Sequence, residues 1–330
     1  MKSITLKITI IIVSSRVFAW MMVYLFYGSN FLLYPYPWLL IPITIFVATI
    51  CYINVVIPLI KIARAMDNFA DGAFEERINI RRVDEVGRIA INFNKLADRV
   101  QGLIQTERRM GANLAHELRL PLTRMSLLTD LILKHPEETE NIELLKQEII
   151  SLSGLSKSLL RLAQYERTEF AIQAEVFSLE ELIEEVVSLF QIVATSKNCS
   201  FDIEVANGLT LFTDKSLLQI AISNLIDNSI HYTQPDTSIV IKAFVDQPFN
   251  MLRIRVTDHG NGVPSEFLER ILLPFERVDY SRNKVTGGAG LGLSIVKSIV
   301  KCLGGTIHLQ NQNPGLQVEL QLPDSIVELP

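Results

Sequence analysis

The chain has 330 residues, room for two or three domains, with 31 Lys and Arg against 36 Asp and Glu and a net charge of -5. A mildly acidic chain of this kind has no electrostatic footprint for nucleic acid, and none is expected as a partner. Cys51, Cys199 and Cys302 are scattered without C-x-x-C spacing, which argues against a disulfide framework and a zinc site.

From Val17 to Ile60 the sequence contains no Asp, Glu, Lys, Arg or His. One membrane span needs about 20 apolar residues, so two fit, at about 10–33 and about 39–60. Gly28-Ser29-Asn30 and Pro35-Tyr36-Pro37-Trp38 supply the turn and the interfacial aromatics between them. The run is too long for a cleaved signal peptide. Lys2, Lys7 and Arg16 precede the first span, Lys61, Arg64, Arg77, Arg81 and Arg82 follow the second, and the loop has no cation. Both termini are therefore expected on the cytoplasmic side, with residues 1–60 as an anchor and Arg16 snorkelling to headgroups.

Beyond the membrane, Gly72 ends a short amphipathic helix and Asp84-Glu85-Val86-Gly87 opens another. Leu96, Val100 and Leu103 continue a coiled-coil seam, and Met110, Leu114, Leu118, Leu122 and Met125 resume it. His135-Pro136-Glu137-Glu138 is a turn. A second helix then carries Ile142, Leu145, Ile149, Leu152, Leu155, Leu159 and Leu162 at spacings of three or four. One apolar stripe per helix is poorly buried by an isolated hairpin and well buried by a homodimeric four-helix bundle.

Composition changes near residue 170. Ser178-Leu179-Glu180-Glu181 reads as a capping box. Alternation over Thr237–Val245 and Met251–Val256 predicts strands, and Thr306–Gln310 with Leu316–Leu322 a hairpin around Asn313-Pro314-Gly315. The pattern is that of an α/β sandwich with helices on one face of a mixed sheet.

Several short motifs carry chemistry. His116-Glu117 sits on a helix, with Pro121 expected to perturb it one turn later. An imidazole can attack phosphorus through one nitrogen if a neighbouring carboxylate takes the proton from the other. Asn224 and Asn228, at i and i+4, project from one helix face, and an amide oxygen can complete magnesium's shell beside a polyanionic phosphate. Tyr232 offers a stacking surface. Asp258-His259-Gly260-Asn261-Gly262 puts a carboxylate at a strand end, able to accept from an exocyclic amine, with glycines that admit close backbone approach. Pro274-Phe275-Glu276-Arg277 leads into a polar stretch with Arg282 and Lys284. Gly287-Gly288-Ala289-Gly290-Leu291-Gly292-Leu293 then enters a helix, an arrangement suited to anions. No Gly-Lys-Ser/Thr follows, so it is not a Walker loop.

In order and spacing these motifs resemble the sensor histidine kinases of bacterial two-component systems over nearly all of the chain beyond the membrane. Residues 58–109 look like a HAMP signal relay, with Glu85 and Gly87 its diagnostic pair. Residues 104–168 are similar to the dimerisation and histidine-phosphotransfer domain. Residues 172–325 resemble the ATP-binding domain that these kinases share with gyrase, heat-shock-90 and mismatch-repair ATPases (the GHKL group). Within the family the look is toward the envelope-stress (Cpx-like) and osmosensing branch.

The resemblance implies a multidomain fold: two transmembrane helices, a HAMP helical linker, a dimeric antiparallel hairpin and a GHKL-type α/β sandwich. It implies His116 as phosphoacceptor, Glu117 as proton acceptor and Asn224 as a catalytic neighbour. Its ATP-binding set is Asn228, His231, Tyr232, Asp258, Gly260, Gly262, Phe275, Arg277, Arg282, Gly288, Gly290, Leu291, Gly292 and Leu293, with Asn228 holding Mg2+ through ATP. The implied partners are a second copy of the chain, a response regulator with a receiver domain, the bacterial inner membrane and an accessory membrane or periplasmic sensor, since the external loop is too short to fold. A non-catalytic ATP-binding adaptor and an ATP-hydrolysing clamp are the rival readings. Asn224 opposes the clamp, because hydrolytic relatives have Glu there as the base. Two departures stand out: Leu120 replaces the usual Thr or Asn four residues after the phosphoacceptor, and His231 replaces the common Lys or Arg beside Tyr232.

Overall fold

The computed structural model describes residues 36–166, 171–246, 251–278, 289–323 and 327–328, and the isolated positions 17, 21, 24 and 25. The first expected span, about 10–33, otherwise lies outside the described residues, as does Arg16. The chain divides into two compact units, Met1–Arg109 and Met110–Pro330.

In the first unit the charge-free sequence forms α1 (Tyr36–Cys51), a π-helical turn (Tyr52–Val56) and the start of α2 (Ile57–Ala70), which continues past it through Lys61, Arg64 and Asp67. Thr44–Ala70 is the one stretch among the described residues long and apolar enough to cross a membrane. The chain then reverses at Gly72, whose φ of +101° favours glycine. An extended connector returns to α3 (Glu85–Lys134). Asn94 grips this connector from α3: Ile78 donates its amide to Asn94 Oδ1 at 2.9 Å, and Asn94 Nδ2 donates to the Ile78 carbonyl at 3.0 Å. Ile62 and Ala65 of α2, Ile78, and Ala90, Phe93 and Ala97 of α3 form the core beneath. The alanines let the helices approach closely. On other faces of α3, Ile89, Ile91, Leu96 and Leu103 are exposed in the single chain. Pro121 lies inside α3 without ending it. It withdraws one donor, the amide that would serve the Glu117 carbonyl, and helical turns on both sides hold the register.

In the second unit α4 (Thr139–Tyr165) follows α3, and Arg124 of α3 meets Glu148 of α4 at 3.2 Å. A small antiparallel sheet combines β1 (Glu175–Ser178), β3 (Thr210–Thr213) and β8 (Val327–Glu328). The larger sheet has the order β2-β4-β5-β7-β6, from β2 (Ser200–Val205), β4 (Ser238–Asp246), β5 (Met251–Thr257), β7 (Leu316–Pro323) and β6 (Thr306–Asn311). Only β2 with β4 is parallel. The helices α5 (Leu179–Ser196), α6 (Lys215–Tyr232) and α7 (Gly292–Cys302) share its core. Alternation explains the layering: Ile239, Ile241 and Ala243, Leu252, Ile254 and Val256, and Val318, Leu320 and Leu322 are buried, while the residues between them face away from the helices. Ser178 caps α5 by accepting from the Glu181 amide at 3.4 Å.

On the opposite face of the sheet Glu319 is buried beneath two arginines. Arg253 Nη1 donates to Glu319 Oε1 at 2.6 Å, Arg255 Nε donates to Oε2, and Gln321 Nε2 donates to Oε1 at 2.6 Å. Burial works against ionisation of Glu319, but the Gln321 amide and the two guanidiniums outweigh it and hold its carboxyl below the usual range. The lowered value sets the sign: this stabilisation is complete above the ordinary carboxylate pKa of about 4.3 and is lost as pH falls through the lowered one. Glu319→Gln should therefore cost about 3–5 kcal/mol at pH 7, with the gap to wild type narrowing as pH falls below the usual carboxylate range, as read by denaturant unfolding across that range.

Candidate functional site

Asp214 starts α6 by accepting from the Leu217 amide at 3.1 Å. Leu218, Ile222, Leu225 and Ile226 bury one side of the helix, which turns Asn224 and Asn228 toward α7. A Cβ on Gly292, the first residue of α7, would lie 3.2 Å from Asn224 Oδ1 and 3.2 Å from Asn228 Nδ2. Both amides therefore abut a helix N-terminus, where free backbone amides favour anions. Asn224 Nδ2 is tied to the Ile220 carbonyl at 2.8 Å, whereas Asn228 Nδ2 is buried with no partner. Rotating that amide by half a turn places an acceptor oxygen at the same spot.

The Asp258 loop is held by close backbone contacts. Asp258 Oδ1 accepts from the Gly260 amide at 2.8 Å and the Leu316 amide at 3.2 Å, leaving Oδ2 to accept another donor. Burial pushes its carboxyl above the usual range against the pull of these two amides. A Cβ on Gly260 would meet the Tyr232 carbonyl at 2.5 Å, and one on Gly315 would meet the Asp258 carbonyl at 1.8 Å. Thr233 Oγ1 accepts from the His259 amide at 3.1 Å, fastening the loop to the end of α6. Asn311 clasps Val263 from the other side, its Oδ1 accepting the Val263 amide at 2.9 Å and its Nδ2 donating to the carbonyl at 2.6 Å. Gly262 sits beside this clasp at φ +68°.

Gly315, Asn311 and Thr233 were not among the expected site residues. Asn313-Pro314-Gly315 reads as a hairpin turn from sequence, and nothing local says that the turn packs on Asp258.

The Phe275 amide donates to the Gly290 carbonyl at 2.9 Å, with both residues at positive φ. This clasp brings the Phe275–Arg277 segment to the residues that enter α7. Leu291 is buried and Leu293 packs on the core, so these two seat the first turn of α7 through packing. Arg282, Lys284 and Gly288 lie outside the described residues. His231 follows Asn228 by three residues on α6. The hydrogen bond to Asp227 outweighs burial and raises its imidazole above the usual value. Tyr232 is 51% exposed and available for stacking.

His116 is exposed on α3, with Glu117 half-buried beside it. Neither makes a hydrogen bond or ion pair with Asn224, Asn228, Asp258 or the Phe275–Leu293 region among the described residues. The described residues of α6, the Asp258 loop and the entry to α7 are thus brought together, and the His-Glu pair stands apart from them.

The Asp258 contacts yield a direct expectation. Gly315→Ala should lower stability by about 3 kcal/mol or more, because the added methyl cannot coexist with the Asp258 carbonyl, and denaturant unfolding of the variant would measure the loss.

Three family models match in succession: HAMP domain at residues 55–102, His Kinase A (phospho-acceptor) domain at 106–168, and Histidine kinase-, DNA gyrase B-, and HSP90-like ATPase at 213–326. Sensor histidine kinase CpxA of Escherichia coli is 27% identical over 299 residues, covering 88% of this chain and 64% of the relative. BaeS of the same organism is 29% identical over 272 residues, covering 81% and 57%. CusS of Escherichia coli O157:H7 is 25% identical over 273 residues, covering 81% and 56%. The chain thus spans little more than half the length of several curated relatives it matches. Among solved structures, histidine kinase ThkA in complex with response regulator protein TrrA aligns at TM-score 0.55 and 26% identity, covering 68% of this chain and 64% of that one. Acinetobacter baumannii histidine kinase AdeS shares the fold at TM-score 0.54 and 23% identity, over 63% of this chain and 97% of that one. HAMP, phospho-acceptor and ATPase domains thus follow one another in this chain, and the relatives similar to it over most of its length are sensor histidine kinases.

Proposed function

We propose that the chain is a membrane sensor kinase that phosphorylates its own His116 from ATP and passes the phosphoryl group to an aspartate of a response regulator. The observation that carries this reading is the meeting of Asn224 and Asn228 with the N-terminus of α7 at Gly292. A triphosphate seated there has backbone amides for its oxygens, and Asp258 Oδ2 can accept from the exocyclic amine of adenine. Asn228 would hold magnesium, which supplies charge neutralisation between the phosphates. The buried, unpartnered Asn228 amide fits that assignment.

In the reaction one imidazole nitrogen of His116 attacks the γ-phosphorus and the bond to the β-phosphate oxygen breaks, releasing ADP. Glu117 accepts the proton from the other nitrogen. Asn224, an amide, cannot act as a base toward water, which favours transfer over hydrolysis. Leu120 supplies no polar side chain to place a water, so dephosphorylation of the partner is expected to be weak.

Exposed Leu122, Leu127, Leu133, Ile149, Ile150 and Leu160 on α3 and α4 support a homodimeric bundle. The ThkA–TrrA complex supports a response regulator as acceptor. Thr44–Ala70, with the apolar sequence before it, supports a multi-pass anchor in the inner membrane with both termini cytoplasmic.

The full chain in nanodiscs, given Mg-ATP, should acquire acid-labile phosphate. His116→Gln should abolish the label while ATP still binds, and Asn228→Ala should slow labelling about 100-fold. Label that persists in His116→Gln would remove the assignment.

ATP affinity should follow a bell-shaped pH profile. On the acid side Asp258 loses the ionised form that accepts from adenine, at a higher pH than an ordinary carboxylate because its pKa is raised. On the alkaline side affinity falls as pH rises through the raised pKa of His231, which then loses its positive charge beside the phosphates. His231→Lys should flatten the alkaline limb alone, as measured by nucleotide titration from pH 5 to 9.

A further inference from the structure

The carbonyl of Asn54 lies four residues before Pro58. Its α-helical donor would be the amide of residue 58, and proline has none. The helix widens at this point into the π-turn Tyr52–Val56, closed by the Ile57 amide on the Tyr52 carbonyl. Single π-turns within α-helices recur at functional positions. The Asn54 side chain does not serve its own carbonyl, since its Nδ2 is turned back to the Ile50 carbonyl at 2.9 Å.

Arg82 fills the role from 28 residues away, donating through Nη1 to the Asn54 carbonyl. The same guanidinium holds Asp84 Oδ2, through Nε at 2.8 Å and through Nη2. The other oxygen of Asp84 accepts the Gly87 amide at 3.1 Å in the first turn of α3. The backbone of Arg82 is fixed as well, since a Cβ on residue 87 would stand 2.0 Å from its carbonyl. Glycine at 87 therefore lets the end of the connector pass directly against α3.

We propose that Arg82 is a latch joining the π-turn of the membrane-exit helix to the N-terminal cap of α3. A shift or rotation of the membrane helix then reaches the first turn of α3 through this guanidinium, in addition to the core that α2 and α3 share further along. Helix α3 continues unbroken to Lys134 and bears His116. Arginine suits this place because its planar fork presents donors in two directions at once, which an ammonium on a flexible stem does not. Arg82 is a positioning residue here and touches no substrate. Pro58 creates the need for the latch, and Arg82, Asp84 and Gly87 meet it.

The test is hydrogen–deuterium exchange on the full chain in phosphatidylcholine nanodiscs. Arg82→Gln should speed exchange about tenfold at both ends of the latch, the Ile57 amide and the Gly87 amide, while the amides of Ala90–Ala97 stay protected. Arg82→Lys should give the same two-ended loss despite keeping the charge. Pro58→Ala returns a donor to the Asn54 carbonyl, so in that background Arg82→Gln should no longer move Ile57. An effect confined to Gly87, an equal effect at Ile57 with and without Pro58, or wild-type exchange in Arg82→Lys would each overturn the proposal. These readouts need no kinase activity, so they decide the latch separately from the function proposed above.

Discussion

The architecture of the nucleotide side rests on the approach of one backbone to another at Asp258. Residue 315 lies so close to the Asp258 carbonyl that a single methyl would overlap it at 1.8 Å. That approach lets the Leu316 amide reach Asp258 Oδ1, and with the Gly260 amide it fixes the carboxylate. A carboxylate restrained by backbone amides and shielded from water keeps a raised pKa and an oxygen available for a neutral amine. Adenine offers such an amine. The glycines at 260 and 315 and the clasp by Asn311 serve this one placement.

A second constraint joins the parts of the Met110–Pro330 unit. Leu162 and Tyr165, at the end of α4, are buried in the same core as α7, and the Cys302 thiol donates to the Tyr165 carbonyl at 3.1 Å. The helix α7, whose N-terminus is the proposed phosphate site, is therefore seated directly on the second helix of the hairpin. In this arrangement His116 stays exposed and out of hydrogen-bonding reach of the nucleotide side. Phosphoryl transfer accordingly requires the two to come together, by movement within one chain or by approach from a second.

Periodic elements were legible in the sequence because burial on one face dictates them. The helices over Leu96–Met125 and Ile142–Leu162 and the alternation in β4, β5 and β7 all appear where the pattern places them. Motif residues were legible where their chemistry is local: Asn224 with Asn228 at one helical turn, and glycines running into α7. Contacts made by residues distant in sequence could not be read. Gly315 looks like turn punctuation until β7 is laid beside Asp258, and Asn311 looks like a polar strand end until it clasps Val263. Near the membrane, Glu85 and Gly87 are the motif residues the sequence marks, whereas Asp84 supplies the capping oxygen and Arg82 reaches back 28 residues to Asn54. Pro121 was expected to disturb α3, and the helix carries it through.

In the proposed reaction a nucleotide seated on Asn228 and Asp258 delivers its terminal phosphorus to one imidazole. Tandem mass spectrometry at neutral pH, on full chain incubated with Mg-ATP, would locate the phosphate directly. A phosphoramidate on the peptide containing residue 116 is the expected result, and phosphate on a hydroxyl residue with an unmodified His116 would contradict the account.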